Sequence, residues 1–347
     1  MKPIGLRGLI ARLGLGALAT EAAPRSEPAS FAPGRDEIAM AWAGGERLPA
    51  LVPEALPTAT GLSGDQLARH LGEGLDFEQL RAYQPGEPAT RIDWRVSARF
   101  SEPVVRMYRE PAQRQAHLVI DGGTAMRFGT RRRLKLTQAL LVAHAFAAGA
   151  LRQNLAVEIH SIGGSFGHQA AGPVTGQGAI LQRLADLAQA AGLTAGAPDA
   201  SSDRLVDKPA DWAGLRQRLA QRLPAGSVVI VLSDCLADTG PGRAIDWAPL
   251  AATHHLIFVS VSDRVELEMP DMGLVPFESG TQARWLDTGS RRWREAFAAE
   301  QHAVLEEWRE SAEALGATFL SLSAHSQPVD WLAELPAVLL RSRGAVA

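Results

Sequence analysis

The chain has 347 residues, of which 46% are hydrophobic and 21% are charged, so it can bury a large core in one domain or two. Its formal net charge of −3 provides no overall attraction to nucleic acid or to an anionic membrane, so either partner would need a local basic patch, and we predict no nucleic-acid partner. The single cysteine, Cys235, excludes an intrachain disulfide and a cysteine-based zinc cluster, and it is typical of a cytoplasmic protein.

The first sixty residues are predicted to form a poorly ordered N-terminal extension. Basic residues lie among apolar ones near the start, but Arg12 leaves only 13–19 uninterrupted, which is too short for a transmembrane segment. The same run is marginal for a secretory leader, whereas a short amphipathic surface helix remains an alternative. Residues 21–60 are rich in Ala, Pro, Gly and Glu and show little periodicity, which is typical of a linker.

Residues 61–115 are predicted to form a second segment that packs on the sheet of the domain that follows. This segment contains a dense charged and aromatic group, the 91–99 cluster, which includes Arg91, Asp93, Trp94 and Arg99. One interpretation is an internal network of ion pairs and caps that holds an irregular segment in place. The other is a recognition surface, because arginine and tryptophan are favoured in binding hot spots. The sequence leaves both open.

Residues 116–343 show alternating strand and helix patterns. Leu118, Val119 and Ile120 are apolar without alternation, which indicates a strand that is covered on both faces. Further strand patterns occur at 155–162, 227–234, 254–262 and 317–322, with two short ones within 274–285. Helical patterns occur at 133–153, 180–190, 212–223, 245–253, 293–315 and 329–340. The alternation predicts an α/β domain with a doubly wound, mostly parallel sheet and helices on both faces.

The candidate binding edge lies where two of these strands end. Asp121 follows the first strand and Ser233-Asp234 end the clearest one, and ligands of open α/β sheets bind outside the carboxyl ends of the strands. With Gly123 and Thr124, these residues form the candidate site. The chain shows no nucleophile elbow, no phosphate loop and no pair of histidines at metal-binding spacing, which disfavours an enzyme.

Three short motifs lie in the second segment: Tyr83-Gln84-Pro85-Gly86, Ile92-Asp93-Trp94 and Ser97-Ala98-Arg99. Together with the strand that ends at Asp121, they resemble the bacterial "domain of unknown function" family 58. The resemblance covers about residues 61–340 and implies a von Willebrand factor A-like fold. Because members are commonly encoded beside MoxR-type AAA+ ATPases, it also implies an adaptor or assembly partner of such an ATPase. The protein client that it would present is not identified by the sequence.

Folds of this kind often carry a metal-ion-dependent adhesion site, in which Asp-x-Ser-x-Ser and a later acid bind a divalent cation through oxygen atoms. Asp121 and Asp234 match the two acids, but Gly123 and Ala125 replace the serines and Thr124 is one residue out of register. We therefore expect a degenerate site, with weak Mg²⁺ binding at most, in a non-catalytic interaction module. Asp121 would then accept hydrogen bonds from the backbone of the turn that follows it. The alternative is a metal-dependent hydrolase or phosphoesterase that uses Asp121 and Asp234.

Overall fold

The computed structural model describes residues 31–52, 71–72, 76–84, 88, 90, 92–100, 102–109, 114–130, 133–164, 169–193, 210–236, 240–279 and 282–344. The chain divides into two compact units, a larger one of Met1–Leu56 and Arg114–Ala347 and a smaller one of Pro57–Gln113. Each unit has its own sheet.

The elements follow in chain order. Helix α1 spans Arg35–Gly45, and the smaller unit then contains β1 (Leu71–Gly72), β2 (Asp76–Ala82), α2 (Trp94–Ser97) and β3 (Val104–Arg109). The larger unit continues with β4 (Gln115–Asp121), α3 (Lys135–Arg152), β5 (Ala156–Ile162), β6 (Gln169–Ala170), α4 (Gln177–Ala190), α5 (Trp212–Arg222), β7 (Val228–Ser233), α6 (Ala248–Ala251), β8 (His255–Ser262), α7 (Arg264–Leu267), β9 (Leu274–Ser279), β10 (Gln282–Asp287), α8 (Arg291–Ala314), β11 (Thr318–Ser323) and α9 (Pro328–Gly344). Short 3₁₀ turns occur at Thr124–Arg127 and Ala244–Trp247.

The central sheet of the larger unit has the strand order β11-β8-β7-β4-β5-β6 in the described chain. All neighbours are parallel except the short edge strand β6, which runs antiparallel to β5. The chain moves outward from β4 to β5, and then returns to the other side of β4 with β7, β8 and β11. This reversal creates a topological switch point between β4 and β7. The doubly wound, mostly parallel sheet predicted from the sequence is confirmed.

Both faces of this sheet are covered, which explains why its central strands lack alternation. In β4, Leu118 and Ile120 point into one core cluster, which helices α1, α3, α4 and α9 also contribute to. Val119 points into a second cluster with residues of α5, α6 and α8. Strands β9 and β10 form a separate antiparallel pair, and in the smaller unit β3 lies between β1 and β2 in an antiparallel sheet.

The described part of the N-terminal region, residues 31–52, is folded onto the core. Gly45 of α1 approaches α3 so closely that a Cβ atom there would lie 2.1 Å from the carbonyl oxygen of Ala145. Glu37 pairs with Arg133, and the backbone N–H of Leu51 donates to Gln153 Oε1 at 2.5 Å. For these residues, the expectation of a poorly ordered extension over 1–60 is therefore corrected. The sequence signal was weak because the buried face of this helix is short and consists of Ala41, Trp42 and Gly45.

Among the described helices, none combines the length and apolar content that are needed to cross a membrane.

Candidate functional site

Asp121 lies at the switch point, where β4 and β7 end side by side. The Ser233 hydroxyl donates to Asp121 Oδ2 at 2.6 Å, and the backbone N–H of Gly123 donates to Oδ1 at 2.8 Å. The Asp121 side chain is buried, so each of its oxygens has a partner within the protein. The prediction that this carboxylate accepts a hydrogen bond from the following turn is confirmed at Gly123.

Asp234, the second predicted acid, belongs to a buried ion cluster formed by Lys135, Asp234 and Glu266. Lys135, in the first turn of α3, donates from Nζ to Asp234 Oδ2 and to Glu266 Oε1, both at 2.6 Å. The other oxygen of Asp234 accepts the backbone N–H of Leu236 at 2.9 Å. All three charged side chains are buried. Lys135 thus supplies a cation from within the chain, directly beside the strand ends.

The electrostatics of the edge follow from this burial. Burial raises the pKa of Asp121 to about 6, although the hydrogen bonds from Ser233 and Gly123 oppose the change. Burial also raises the pKa of Glu266 to about 7, against the attraction of Lys135. Burial by itself would lower the pKa of Lys135, but Asp234 and Glu266 outweigh it and hold that pKa above its ordinary value. The ammonium group therefore stays charged.

A third acid, Asp263, follows β8 and extends the network. Its carboxylate accepts the backbone N–H of Thr130 at 2.8 Å and the Thr130 hydroxyl at 2.7 Å, and it contacts His325 Nε2 at 3.0 Å. Its own backbone N–H donates to Glu266 Oε2 at 2.7 Å. Burial would raise the pKa of Asp263, but the hydrogen bonds outweigh it and the pKa is lowered. Three neighbouring strands thus each deliver an acid to one polar layer.

Comparison with known sequences identifies the family. A family model described as "Protein of unknown function DUF58" matches residues 79–307. The chain belongs to this family. The matched range of this DUF58 protein includes part of each unit and the whole ion cluster. The chain is also 28% identical over 302 residues to the uncharacterized proteins Rv1480 of Mycobacterium tuberculosis (strain ATCC 25618 / H37Rv) and Mb1516 of Mycobacterium bovis (strain ATCC BAA-935 / AF2122/97), covering 82% of this chain and 86% of each relative.

Among the described residues at the ends of β4 and β7 in this DUF58 protein, exposure occurs in the loop after β4 and not at the acids. Thr124, which begins the 3₁₀ turn Thr124–Arg127, is exposed, and Gly123 is half-buried. Asp121, Ser233 and Asp234 are buried. Thr124 is therefore the exposed residue of the loop of residues 122–127, here named the switch-point loop, and Asp121 binds this loop through the backbone of Gly123.

The 91–99 cluster lies in the smaller unit. Asp93 caps α2, because its carboxylate accepts the backbone N–H groups of Arg95 at 3.1 Å and Val96 at 3.0 Å. The Trp94 side chain is 64% exposed, and Arg99 is also exposed. Arg91 lies outside the described residues. Asp93 has the capping role that the first interpretation gives it, whereas the exposed Trp94 is a feature that the recognition interpretation requires.

Lys135, Glu266 and Asp263 were missed by reasoning from the sequence. A signal existed for Asp263, since the strand pattern at 254–262 is followed by an acid in the same way as the two strands before it. Lys135 stands at the start of a helix that is otherwise apolar nearly all round, which is an unusual place for a lysine. The position of Glu266 on the four-residue helix α7 gave no comparable signal.

Proposed function

We propose that this DUF58 protein is a non-catalytic protein-interaction module whose partner is a MoxR-type AAA+ ATPase in the cytoplasm. In this role it presents a protein client to the ATPase or regulates it. The class of partner rests on the family resemblance. The non-catalytic role rests on one observation in the structure, which is that the Lys135 ammonium contacts both Asp234 and Glu266 at the strand ends.

This contact disfavours the metal-dependent hydrolase. A hard divalent cation such as Mg²⁺ needs several free oxygen ligands. The Asp121 oxygens accept hydrogen bonds from Ser233 and Gly123, and the Asp234 oxygens are engaged by Lys135 and a backbone N–H. A second cation at this position would also be repelled by the ammonium. We therefore propose a degenerate adhesion site in which a lysine supplies the charge that a metal supplies elsewhere.

We place the partner on the switch-point loop, because Thr124 of this loop is exposed, whereas the described residues that directly follow β7, 234–236, are buried. Gly123→Arg is a poor probe of this surface, since a Cβ atom at Gly123 would lie 3.0 Å from Asp121 Oδ1. Thr124→Arg is better, because the side chain is exposed and the new arginine can extend into solvent. Gln221→Arg is the matched control, since it adds the same charge at an exposed position in the last turn of α5. That turn precedes β7, so it lies near the amino-terminal ends of the parallel strands, whereas the switch-point loop lies at their carboxyl ends.

The test is co-expression with the MoxR-type ATPase of the same genome, followed by affinity capture and measurement of the dissociation constant. We expect wild type and Gln221→Arg to bind equally. Thr124→Arg should bind at least tenfold more weakly, which is about 1.4 kcal/mol, while melting within a few degrees of wild type. Equal binding by both variants would exclude the switch-point loop as the docking surface. No association of the wild type would overturn the proposed partner, and Mg²⁺-dependent ester hydrolysis would favour the hydrolase instead.

A further inference from the structure

A second polar cluster lies on the same sheet, away from the switch point. It consists of His117 on β4 with Glu158 and His160 on β5. His117 and Glu158 are direct partners in the parallel register of the two strands. Because side chains alternate along a strand, His160 lies on the same face as Glu158, two residues further on. His117 and His160 are buried, and the Glu158 side chain is 18% exposed.

The three side chains direct one ligand atom each toward a common point. His117 Nδ1 lies 3.1 Å from His160 Nε2, and Glu158 Oε2 lies 3.6 Å from the first of these nitrogens and 4.0 Å from the second. The centre of the circle through three atoms with separations of 3.1, 3.6 and 4.0 Å is about 2.1 Å from each. Zn–N and Zn–O bonds in proteins are about 2.0–2.2 Å long.

We infer that His117, Glu158 and His160 form a binding site for a divalent transition-metal ion of the Zn²⁺ type. Two imidazole nitrogens and one carboxylate oxygen are ligands that Zn²⁺ and its first-row neighbours prefer, whereas Mg²⁺ and Ca²⁺ prefer oxygen. Because the point about 2.1 Å from all three atoms lies in their plane, a tetrahedral ion requires the ligand atoms to move slightly closer together. Three protein ligands then leave its fourth position open. The partial exposure of Glu158 gives that position access to water.

The competing explanation is a hydrogen bond between two neutral histidines, since the nitrogen separation of 3.1 Å also fits one. In that arrangement the proton of one ring nitrogen is donated to the lone pair of the other, and the Glu158 carboxylate oxygen, at 3.6 and 4.0 Å, is too far away to accept a hydrogen bond from either nitrogen. A cation at the centre is attracted by all three atoms at once. The geometry therefore fits a metal better than a single proton.

The charges around the cluster differ from those at the switch point. Within the described chain, no lysine or arginine lies within ion-pair distance of Glu158, whose recorded ion pairs are with His117 and His160. Arg183 and Arg222 act on Glu158 from further away. In the buried ion cluster, Lys135 already supplies the cation. Among the described residues, no lysine or arginine therefore pairs with the ligand atoms of the histidine cluster where they converge.

The test uses untagged full-length protein that has been stripped with a chelator. Zn²⁺ is titrated by calorimetry, and Co²⁺ is added as a spectroscopic probe whose visible absorption reports tetrahedral coordination. We expect one equivalent of Zn²⁺ to bind with a dissociation constant of about 1 μM or lower, and Mg²⁺ not to compete. Wild-type protein that binds no Zn²⁺ below about 100 μM would overturn the inference.

Glu158→Gln is the main variant, because it keeps the size of the side chain and removes its charge at a partly exposed position. We expect it to weaken Zn²⁺ binding at least tenfold, about 1.4 kcal/mol, and to alter the Co²⁺ spectrum. His160→Gln should abolish that spectrum. His302→Gln removes an exposed histidine on α8 and is the matched control, which should bind like wild type. If Glu158→Gln binds as tightly as wild type, or if His302→Gln shows the same loss, the ion is held elsewhere and the assignment is wrong.

Discussion

Replacing Lys135 with methionine tests the buried ion cluster most directly. The substitution keeps much of the side-chain volume but leaves the carboxylates of Asp234 and Glu266 without the cation that each contacts at 2.6 Å. Because these side chains are buried, solvent cannot replace the lost ammonium. Removing one partner of a buried ion pair costs about 3–5 kcal/mol. Such a loss is a large fraction of the 5–15 kcal/mol that is usual for a folded domain, so about this much should disappear from the free energy of unfolding.

The loss should depend on pH, because protonation can relieve the buried charge. The pKa of Glu266 is already raised to about 7, and without Lys135 it should rise further. A carboxyl group whose pKa is raised in the folded state stabilises that state below its unfolded pKa, and this stabilisation is lost as pH rises through the folded pKa. The deficit of Lys135→Met should therefore be small near pH 5 and larger near pH 8, and it should grow by up to about 1.4 kcal/mol per pH unit for one group.

The assay is urea denaturation followed by tryptophan fluorescence, near pH 5 and near pH 8. Arg309→Met is the control, because Arg309 also contacts two glutamates, Glu306 and Glu313, but on an exposed helix surface. We expect that control to leave the midpoint unchanged at both pH values. Mg²⁺ should raise the midpoint of Lys135→Met, whose acids are then free to bind it, and should not affect wild type. If Lys135→Met unfolds like wild type near pH 8, the contact does not stabilise the fold.

Three further predictions concern Asp121, the α1 contact and the Asp93 cap. Burial raises the pKa of Asp121 from 3.8 to about 6. Protonation of Asp121 therefore stabilises the folded state at pH values below the unfolded pKa, and this stabilisation is lost as the pH rises through about 6. Asparagine does not titrate, so the free energy of unfolding of Asp121→Asn, measured by urea denaturation, should rise by about 3 kcal/mol relative to that of wild type between about pH 3 and pH 7. A difference between the two proteins that does not change with pH would contradict the raised pKa. Gly45→Ala should lower the free energy of unfolding, determined from thermal melts, by about 1–3 kcal/mol, because the new Cβ atom would clash with the backbone of α3. The control is Gly178→Ala, which lies in a helix with open space around it and should raise the free energy of unfolding by up to about 1 kcal/mol. Equal melting temperatures for the two variants would contradict the close approach at Gly45. Asp93→Ala should lose about 1 kcal/mol as a helix cap, and a loss of several kcal/mol would instead indicate a buried ion-pair network.

The doubly wound α/β sheet of residues 116–343 could be predicted from the sequence alone. Unbroken apolar runs such as Leu118, Val119 and Ile120 require cover on both faces, and their alternation with helical patterns restricts the fold to a doubly wound sheet. The position of Asp121 at a strand end follows from the same local pattern, as does its hydrogen bond to the next turn. These are properties of neighbouring residues, which periodicity and turn chemistry can report.

The chemistry available at the strand ends depends on contacts between distant parts of the chain. Lys135 is 99 residues from Asp234 and 131 from Glu266 along the chain, so no local pattern predicts that its ammonium contacts both carboxylates. The histidine cluster was also missed because its residues are far apart in the sequence. His117 and His160 are separated by 43 residues and come together only because β4 and β5 pair in this register. Helix α1 buries only the short face of Ala41, Trp42 and Gly45, and the close approach of Gly45 to α3 is a contact between residues that are far apart in the sequence. Ion pairs and metal sites depend on distances between side chains in space. For residues that are far apart in the sequence, only the folded structure determines these distances.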